Sequence, residues 1–392
     1  MSTPLSSART FEFAHRTRLV LGAGVWTQAF AEVAKFGHKI LLVSGASSLS
    51  ILGLEPALGD AARRSELILQ RFSVPREPDI ELADRAGMLA RSSGAEALLA
   101  VGGGSALDIA KAAAALATNP GSARDYLEGL ANGGPRPIEA PPLPVVCVPT
   151  TAGTGSEVTK NAVLQVPDLA VKRSMRSELL FPHAAFIDPT LSGRAPLGVR
   201  AGTGFDALTH LVEAFCSRNA SPVTDALARD GIPRALNALR ALANDSAGDA
   251  EALDLALAST LGGICLANAG LGAAHGLIAP LGGLYGNIPH GAGLACLLPA
   301  TLTVNEQVAA GEPSASARLA ELARLSSGPS ATISSLAREL VELRQALQLP
   351  ALASYARIDI ARIIASPSGS LKTNPVPLAE PELRAILELA LT

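Results

Sequence analysis

Charge is scarce in this chain of 392 residues: only 17% are Asp, Glu, Lys or Arg, and 32 basic against 35 acidic residues leave a formal net charge of −3. A balance so close to zero gives no basis for binding nucleic acid or an anionic membrane surface, and neither partner is expected. Cysteine is also sparse. The four residues Cys147, Cys216, Cys265 and Cys296 lie far apart, and all but Cys216 sit in clearly apolar surroundings. Such spacing shows no close pairing of the kind a disulfide framework has, and free thiols in a reducing compartment are expected. No signal-peptide pattern opens the chain, since Glu12, His15 and Arg16 precede any long apolar run. The stretch from Leu255 to Leu298 contains no Asp, Glu, Lys or Arg, yet Asn268, His275, Pro280, Asn287 and His290 interrupt it. A buried core is therefore expected there rather than a membrane span, and the expected location is cytoplasmic.

What the chain does have is apolar mass, with 48% hydrophobic residues in a length that suits two domains. In the first half, short apolar runs at Lys39 to Ser44, Ala97 to Val101 and Val145 to Pro149 alternate with amphipathic segments such as Ile80 to Ser93. That alternation predicts parallel strands joined by helical crossovers. From Leu197 onward the pattern is helical: Val223 to Leu242 with a break at Gly231 to Pro233, Glu251 to Ala269, Ala315 to Leu325 and Thr332 to Leu347. The fold class is thus an α/β N-terminal domain with a parallel sheet, residues 1–188, and an all-α C-terminal domain, residues 189–392. The division falls at the turn signal Asp188-Pro189. Ser366 to Pro377 reads as a polar, proline-containing loop.

The chemistry-bearing residues cluster in two places. In the helical half, Asp206 and His210 stand four apart in a proline-free segment with an apolar stripe at Phe205, Leu208, Val212 and Phe215. On a helix such residues lie roughly 6 Å apart on one face, so a carboxylate and an imidazole can hold one ion. Taken alone, such a pair is more often a surface hydrogen bond than a metal pair. His275 and His290, each beside glycine in the uncharged stretch, change the balance, because a buried imidazole without a partner is costly. A mixed carboxylate and imidazole set suits divalent iron or zinc and argues against calcium or magnesium. In the first half, Val101-Gly102-Gly103-Gly104-Ser105-Ala106-Leu107-Asp108 places three glycines between a strand and a helix. There a backbone can approach a phosphate closely, although a glycine turn with Ser105 as helix cap would look the same. The loop Thr150-Thr151-Ala152-Gly153-Thr154-Gly155-Ser156-Glu157 follows another strand, and two such loops at strand ends form the crevice in which open α/β sheets bind ligands.

These segments together resemble the iron-dependent alcohol dehydrogenase family, whose fold is shared with glycerol dehydrogenase and dehydroquinate synthase. The resemblance runs from Gly22-Ala23-Gly24 through GGGSALDIAK, PTTAGTGSEVT, Phe186-Ile187-Asp188-Pro189, GFDALTHLVEAF, AAHGLIAPLGG and IPHG to Lys372-Thr373-Asn374-Pro375. It implies a Rossmann-like N-terminal domain for NAD or NADP, a helical domain holding Fe²⁺ or Zn²⁺, and an active site between them. Carried over, Asp206, His210, His275 and His290 are the implied metal ligands. Gly103, Gly104 and Ser105 match the pyrophosphate loop, Asp108, Thr150, Thr151 and Thr154 match positions lining the cofactor, and Lys172 matches a lysine near it. The implied activity is hydride transfer between a small alcohol and its aldehyde or ketone, in a homo-oligomer, expected as a homodimer. A dehydroquinate synthase-like lyase or cyclase using NAD transiently is the alternative within the fold, and a non-catalytic binding protein is a third. Two positions depart from the family pattern. Ala279 stands where many relatives carry a histidine associated with proton relay, and Ser44-Gly45-Ala46-Ser47 lacks the carboxylate that often favours NAD over NADP. Asn161, Phe205, Ala279 and Tyr285 are candidate pocket positions, each of which fits packing as well as recognition.

Overall fold

The structure, a computed structural model, describes residues 10–130, 134–365 and 367–392. Eight strands lie in the first half: β1 (Arg18–Leu21), β2 (Lys39–Gly45), β3 (Ile68–Val74), β4 (Ala97–Gly102), β5 (Val145–Pro149), β6 (Asn161–Val166), β7 (Val171–Arg176) and β8 (Ala184–Ile187). Six form one parallel sheet in the order β1-β8-β5-β4-β2-β3. The helices α1 (Gln28–Val33), α2 (Ser48–Ile51), α3 (Glu55–Arg64), α4 (Ile80–Ser92) and α5 (Gly104–Thr118) make the connections. Every residue of central β4 is buried, as an uninterrupted apolar run requires of a strand covered on both faces. Edge strand β3 alternates instead, with Phe72 and Val74 turned inward. All three strands expected from the sequence are present, each within a residue of its expected end, and α4 begins where Asp79 caps it by accepting from the Leu82 amide at 2.8 Å. The antiparallel hairpin β6–β7 stands apart from the sheet.

After β8, every regular element among the described residues is helical: α6 (Pro189–Ser192), α7 (Leu197–Cys216), α8 (Pro222–Ala243), α9 (Asp249–Ala269), α10 (Ala273–Leu284), α11 (His290–Ala309), α12 (Pro313–Ser327), α13 (Ile333–Ala346), α14 (Ile360–Ile364) and α15 (Glu380–Ala390), with short 3-10 turns between some of them. The uncharged stretch becomes the end of α9, all of α10 and the start of α11, which are interior elements of this half. By length and composition α9 could cross a membrane, but it packs against both α7 and α8. One expectation needs correction. Helix α8 runs unbroken through Gly231 to Pro233, because Gly231 packs tightly on Leu211 of α7 and the flanking Ile232, Ala235 and Leu236 are buried in the helical core. Tertiary packing here outweighs the local cost of proline. The same compromise has a visible solution in α10: Pro280 cannot donate to the Gly276 carbonyl, and the Ser368 amide donates to it instead at 3.0 Å. The segment expected as a polar loop thus has structural work, with a 3-10 turn at Gly369–Thr373 and a buried Asn374; Ser366 itself lies outside the described residues.

Candidate metal centre and glycine-rich face

Three helices bring the four side chains together. Helix α7 carries Asp206 and His210 one turn apart, α10 carries His275 in its first turn, and α11 begins at His290. The approach is close because of glycine: a Cβ on Gly291 would lie 2.0 Å from the Gly202 carbonyl oxygen, so only glycine lets the start of α11 touch α7. The Nε2 atoms of His275, His210 and His290 lie 3.4, 3.6 and 3.7 Å from a single atom, Asp206 Oδ1. His210 and His275 stack with centroids 4.5 Å apart. Candidate ligand atoms of Asp206, His275 and His290 all lie within 4.8 Å of one another.

The electrostatics of this cluster are those of a site built for a cation. Asp206 Oδ1 and His275 Nε2 are buried and have no hydrogen-bond partner. Distances of 3.4–3.7 Å are too long for charge-assisted hydrogen bonds, yet they suit atoms that share one ion at about 2.0–2.2 Å each. Burial alone would raise the Asp206 carboxyl, but His210, His290 and His275 outweigh it and hold the group well below the usual carboxylate range. Burial also pushes His210 down to about 4, and His290, at the more open edge of the cluster, moves in the same direction through desolvation and the neighbouring positive charge of His275 and Lys172, so that both imidazoles are neutral, the form that ligates metal. His275 moves the other way: against the effect of burial, Asp206 and Glu213 carry it up to about 9. The donor set therefore fits a divalent ion, iron or zinc, and the fit rests on an orphaned buried carboxylate oxygen.

The glycine-rich loops meet at the C-terminal ends of β4 and β5. Gly103 caps α5 with extended backbone and no side-chain acceptor, and Ser105 lies inside the helix rather than capping it. A Cβ on Gly104 would fall 2.7 Å from Thr154, and one on Gly103 would fall 3.2 Å from Thr151, so the two loops touch through glycine. Gly103, Gly104, Ser105, Thr151 and Thr154 share a partly exposed surface. Thr150 and Asp108 do not reach that surface. Thr150 is 3% exposed and its amide donates to the Gly102 carbonyl at 3.0 Å, tying β5 to β4. Asp108 accepts from Ser156 Oγ at 2.5 Å and the Val163 amide at 3.0 Å, and Lys111 Nζ lies 3.0 Å away. Lys111, fully buried, also donates to the Ser156 carbonyl at 2.9 Å. Lys172 stands nearer the metal cluster: its ammonium pairs with Glu77 at 2.8 Å, lies over Gly282 of α10, and helps depress the His290 imidazole.

The second loop links the two centres. Gly155, at φ +60°, would place a Cβ 2.5 Å from the Cα of Gly263 in α9, and the Gly153 carbonyl lies 3.3 Å from His210 Nδ1. Among the candidate pocket positions, Phe205 is fully buried in the helical core and Tyr285 accepts from the Asp359 amide at 2.8 Å, so both are packing residues. Asn161 is buried with an unpartnered side-chain oxygen. Ala279 is partly exposed on α10, one turn beyond His275.

Family models match nearly all of this architecture. Residues 16–189 match the iron-containing alcohol dehydrogenase model, and residues 200–389 match the C-terminal model of the Fe-containing alcohol dehydrogenase family. The chain belongs to the iron-containing alcohol dehydrogenase family. It is 35% identical over 384 residues to long-chain-alcohol dehydrogenase 1 of Geobacillus thermodenitrificans, covering 94% of each chain. Lactaldehyde reductase of Escherichia coli K12 is 34% identical over 74% of this chain and 75% of its own. Among solved structures, a 1,3-propanediol oxidoreductase superposes with a TM-score of 0.85 at 29% identity, covering 97% of this chain and 100% of its own. Sulfoacetaldehyde reductase from Bifidobacterium kashiwanohense, solved in complex with NAD⁺, superposes with a TM-score of 0.83 at 25% identity, covering 98% of this chain and 100% of its own. As a member of this family the chain is an oxidoreductase of the alcohol dehydrogenase and aldehyde reductase type, and the lyase alternative gains no support from these relatives.

Two residues of the site were missed in the sequence. Glu213, 4% exposed, accepts from His275 Nδ1 at 2.7 Å, and Asn374 accepts from the Ala273 amide at 3.1 Å. Glu213 could have been found, since it lies three residues after His210 and seven after Asp206 on one helix face. Asn374 stands in the Lys372-Thr373-Asn374-Pro375 segment of the family resemblance, but nothing in a polar loop a hundred residues away gives it a role at the start of α10.

Proposed function

We propose that this chain interconverts a small alcohol and its aldehyde or ketone by hydride exchange with NAD(H) or NADP(H), with Asp206, His210, His275 and His290 holding Fe²⁺, Zn²⁺ being the second choice. The observation that carries the reading is the unpartnered Asp206 Oδ1 ringed by three imidazole nitrogens. When bound, the ion supplies Lewis acidity, which lets an alcohol lose its proton near neutral pH and polarises a carbonyl in the reverse direction. The chain's own contribution is arrangement. The first turn of α5, with no side-chain cap, leaves amide donors free to face a pyrophosphate beside Gly103, Gly104 and Ser105, and Thr151 and Thr154 add hydroxyls on the same face. Asp108, Lys111 and Thr150 act beneath that surface by fixing the two loops to each other. Lys172 serves the end of the cofactor nearer the metal. Residues 1–188 and 189–392 act as the two units between which the reaction takes place. The protein works in the cytoplasm as a homodimer.

The test is a substrate screen over short alcohols, long-chain alcohols and diols with NAD⁺ and NADP⁺, and over acidic aldehydes with NADH and NADPH, on iron-loaded, zinc-loaded and metal-free protein. Metal-dependent formation of reduced cofactor from the alcohols, and its metal-dependent consumption by the aldehydes, is expected. Turnover that is the same in metal-free protein, or product formed without net change in the cofactor, would count against it.

A further inference from the structure

The three imidazoles differ in what holds the nitrogen facing away from Asp206. For His210 it is the Gly153 carbonyl oxygen at 3.3 Å. His290, with a side chain 38% exposed, has no hydrogen bond from its other nitrogen among the described residues. For His275 it is a buried carboxylate at 2.7 Å, Glu213 Oε2. Glu213 has no Lys or Arg partner among the described residues; its one ion-pair partner is His275. Its other oxygen accepts from the Ala274 amide at 2.7 Å and sits so close to Gly272 that a Cβ there would come within 2.8 Å of it. The carboxylate is thus locked at both ends.

Assuming the metal reading above, we propose that Glu213 is the positioning residue that makes His275 the anchoring ligand of the cluster. An ionised carboxylate can only accept, so Nδ1 keeps a proton, and it is Nε2 that would give up its own and present a lone pair when a metal ion binds. That Nε2 is the buried atom with no hydrogen-bond partner, 3.4 Å from Asp206 Oδ1. The carboxylate also raises the basicity of the ring it holds, which strengthens the donor. Helix α7 therefore carries two ligands and the orienting group of a third, at positions 206, 210 and 213 of one face. The competing role is that Glu213 merely caps the start of α10, which it does together with Asn374.

The substitution Glu213→Gln separates the two roles. The glutamine carbonyl can still accept from Ala274, but its amide group then faces His275 Nδ1 and can only donate, which forces the proton onto Nε2 and into the metal position. Metal-free wild type and variant would be titrated with Zn²⁺ and with Co²⁺ against a chelator, and the absorption spectrum of the Co²⁺ forms compared. The expected result is a dissociation constant raised about 10–100-fold and a shifted Co²⁺ spectrum. NADH binding to the metal-free variant should be unchanged. Asn374→Ala, which removes the neighbouring cap together with the hydrogen bonds of Asn374 to Asn305 and the Val376 carbonyl but leaves the Glu213–His275 contact in place, should lower Tm while leaving the metal dissociation constant within about threefold of wild type. Unchanged metal affinity and spectrum in Glu213→Gln, with tight binding by the wild type, would overturn the role of Glu213 and leave the metal reading standing. A wild type that binds neither ion would overturn both. If Glu213→Gln fails to fold, Glu213→Asp carries the same test: its carboxylate is too short to reach Ala274 and His275 together, so weaker binding supports the proposal and unchanged binding overturns it.

Discussion

At the proposed metal cluster the working atoms belong to side chains, and three imidazoles from three helices converge on one carboxylate oxygen, that of Asp206. At the glycine-rich face the working groups are backbone, and the side chains that matter most are the ones glycine lacks, since a Cβ at Gly103 or Gly104 would press on Thr151 or Thr154. The consequence is a difference in how each region fails. A cluster of coupled ligands fails as a unit, because losing one side chain leaves the others buried without their ion. A backbone face is graded: it tolerates changes of side-chain chemistry at its rim and suffers mainly from changes in the shape beneath it. The Gly153 carbonyl beside His210 joins the two regions, so each can be perturbed while the other is watched.

The sharpest break should come from His210→Ala. Removing this imidazole takes away a proposed ligand and the ring stacked on His275. Metal content is expected to fall to background and kcat/KM by at least about 10³-fold, the several kcal/mol that Lewis-acid activation supplies. Cofactor titration should show nucleotide binding largely intact. Full activity without metal would remove the central claim, and loss of nucleotide binding would show that the two regions are not separable.

A buried acid beneath the glycine face gives the next effect. Glu157 is 2% exposed in α9's contact zone, and burial, only partly offset by its own backbone amide, Lys111 and Thr260, pushes its carboxyl up to about 7. A folded-state value above the ordinary 4.5 means that this group's contribution to stability is fully present below about pH 4.5 and is lost as pH rises through about 7. The loss is roughly 3 kcal/mol. Urea unfolding of metal-free protein at pH 5 and pH 8 should show the Glu157→Gln variant losing less stability than wild type by that amount. Parallel pH dependences would mean that Glu157 is ionised in the fold and paired with Lys111.

How much of this is legible in the sequence follows the same contrast. Side-chain chemistry is written one letter at a time, so residue type and spacing alone point to Asp206, His210, His275 and His290. Strands β2, β4 and β5 are equally plain, because a strand covered on both faces must be apolar throughout. Hairpin β6–β7 is not: Lys172, Arg173 and Arg176 break the apolar run, and what holds these strands is pairing with each other, which no single run reveals. Asp108 and Thr150 carry the residue types of a binding surface but lie below it, since a motif fixes residue order and not depth. The continuity of α8 depends on Leu211 from another helix, information that is absent from the local segment.

At the rim of the glycine face, Gly45→Asp tests whether chemistry there can be tuned without disturbing the metal. Gly45 ends β2, its backbone is not left-handed, and the one close obstacle to a Cβ is the hydroxyl of Ser48 at 2.8 Å, which can rotate away. The new carboxylate would hydrogen-bond a ribose hydroxyl and repel a 2′-phosphate, shifting preference toward NAD by roughly 1–3 kcal/mol. The ratio of kcat/KM values with the two cofactors reads the shift. An unchanged ratio would place cofactor choice elsewhere, and altered metal content would show coupling that the comparison does not allow.

The smallest expected effect lies at Ala279, on the helix that carries His275. It sits one turn beyond His275 on α10 and is partly exposed, so an imidazole placed there would stand on the same helix face as the ligand. Gly282 continues that face, with the Lys172 ammonium 3.2 Å from where its Cβ would be, so the surroundings already carry positive charge and would hold a new histidine partly neutral. Ala279→His could act as a proton relay, in which case the pH dependence of kcat should acquire a new limb near the pKa of the introduced group. It could instead only fill space, in which case KM for bulkier alcohols should rise by about tenfold while the pH profile stays as it was. The natural alanine makes the second outcome the expected one, since a side chain without an ionisable group takes no part in a native proton route. A shifted pH profile with unchanged KM would reverse that conclusion, and no change in either would mean that this face of α10 does not reach the reacting centre.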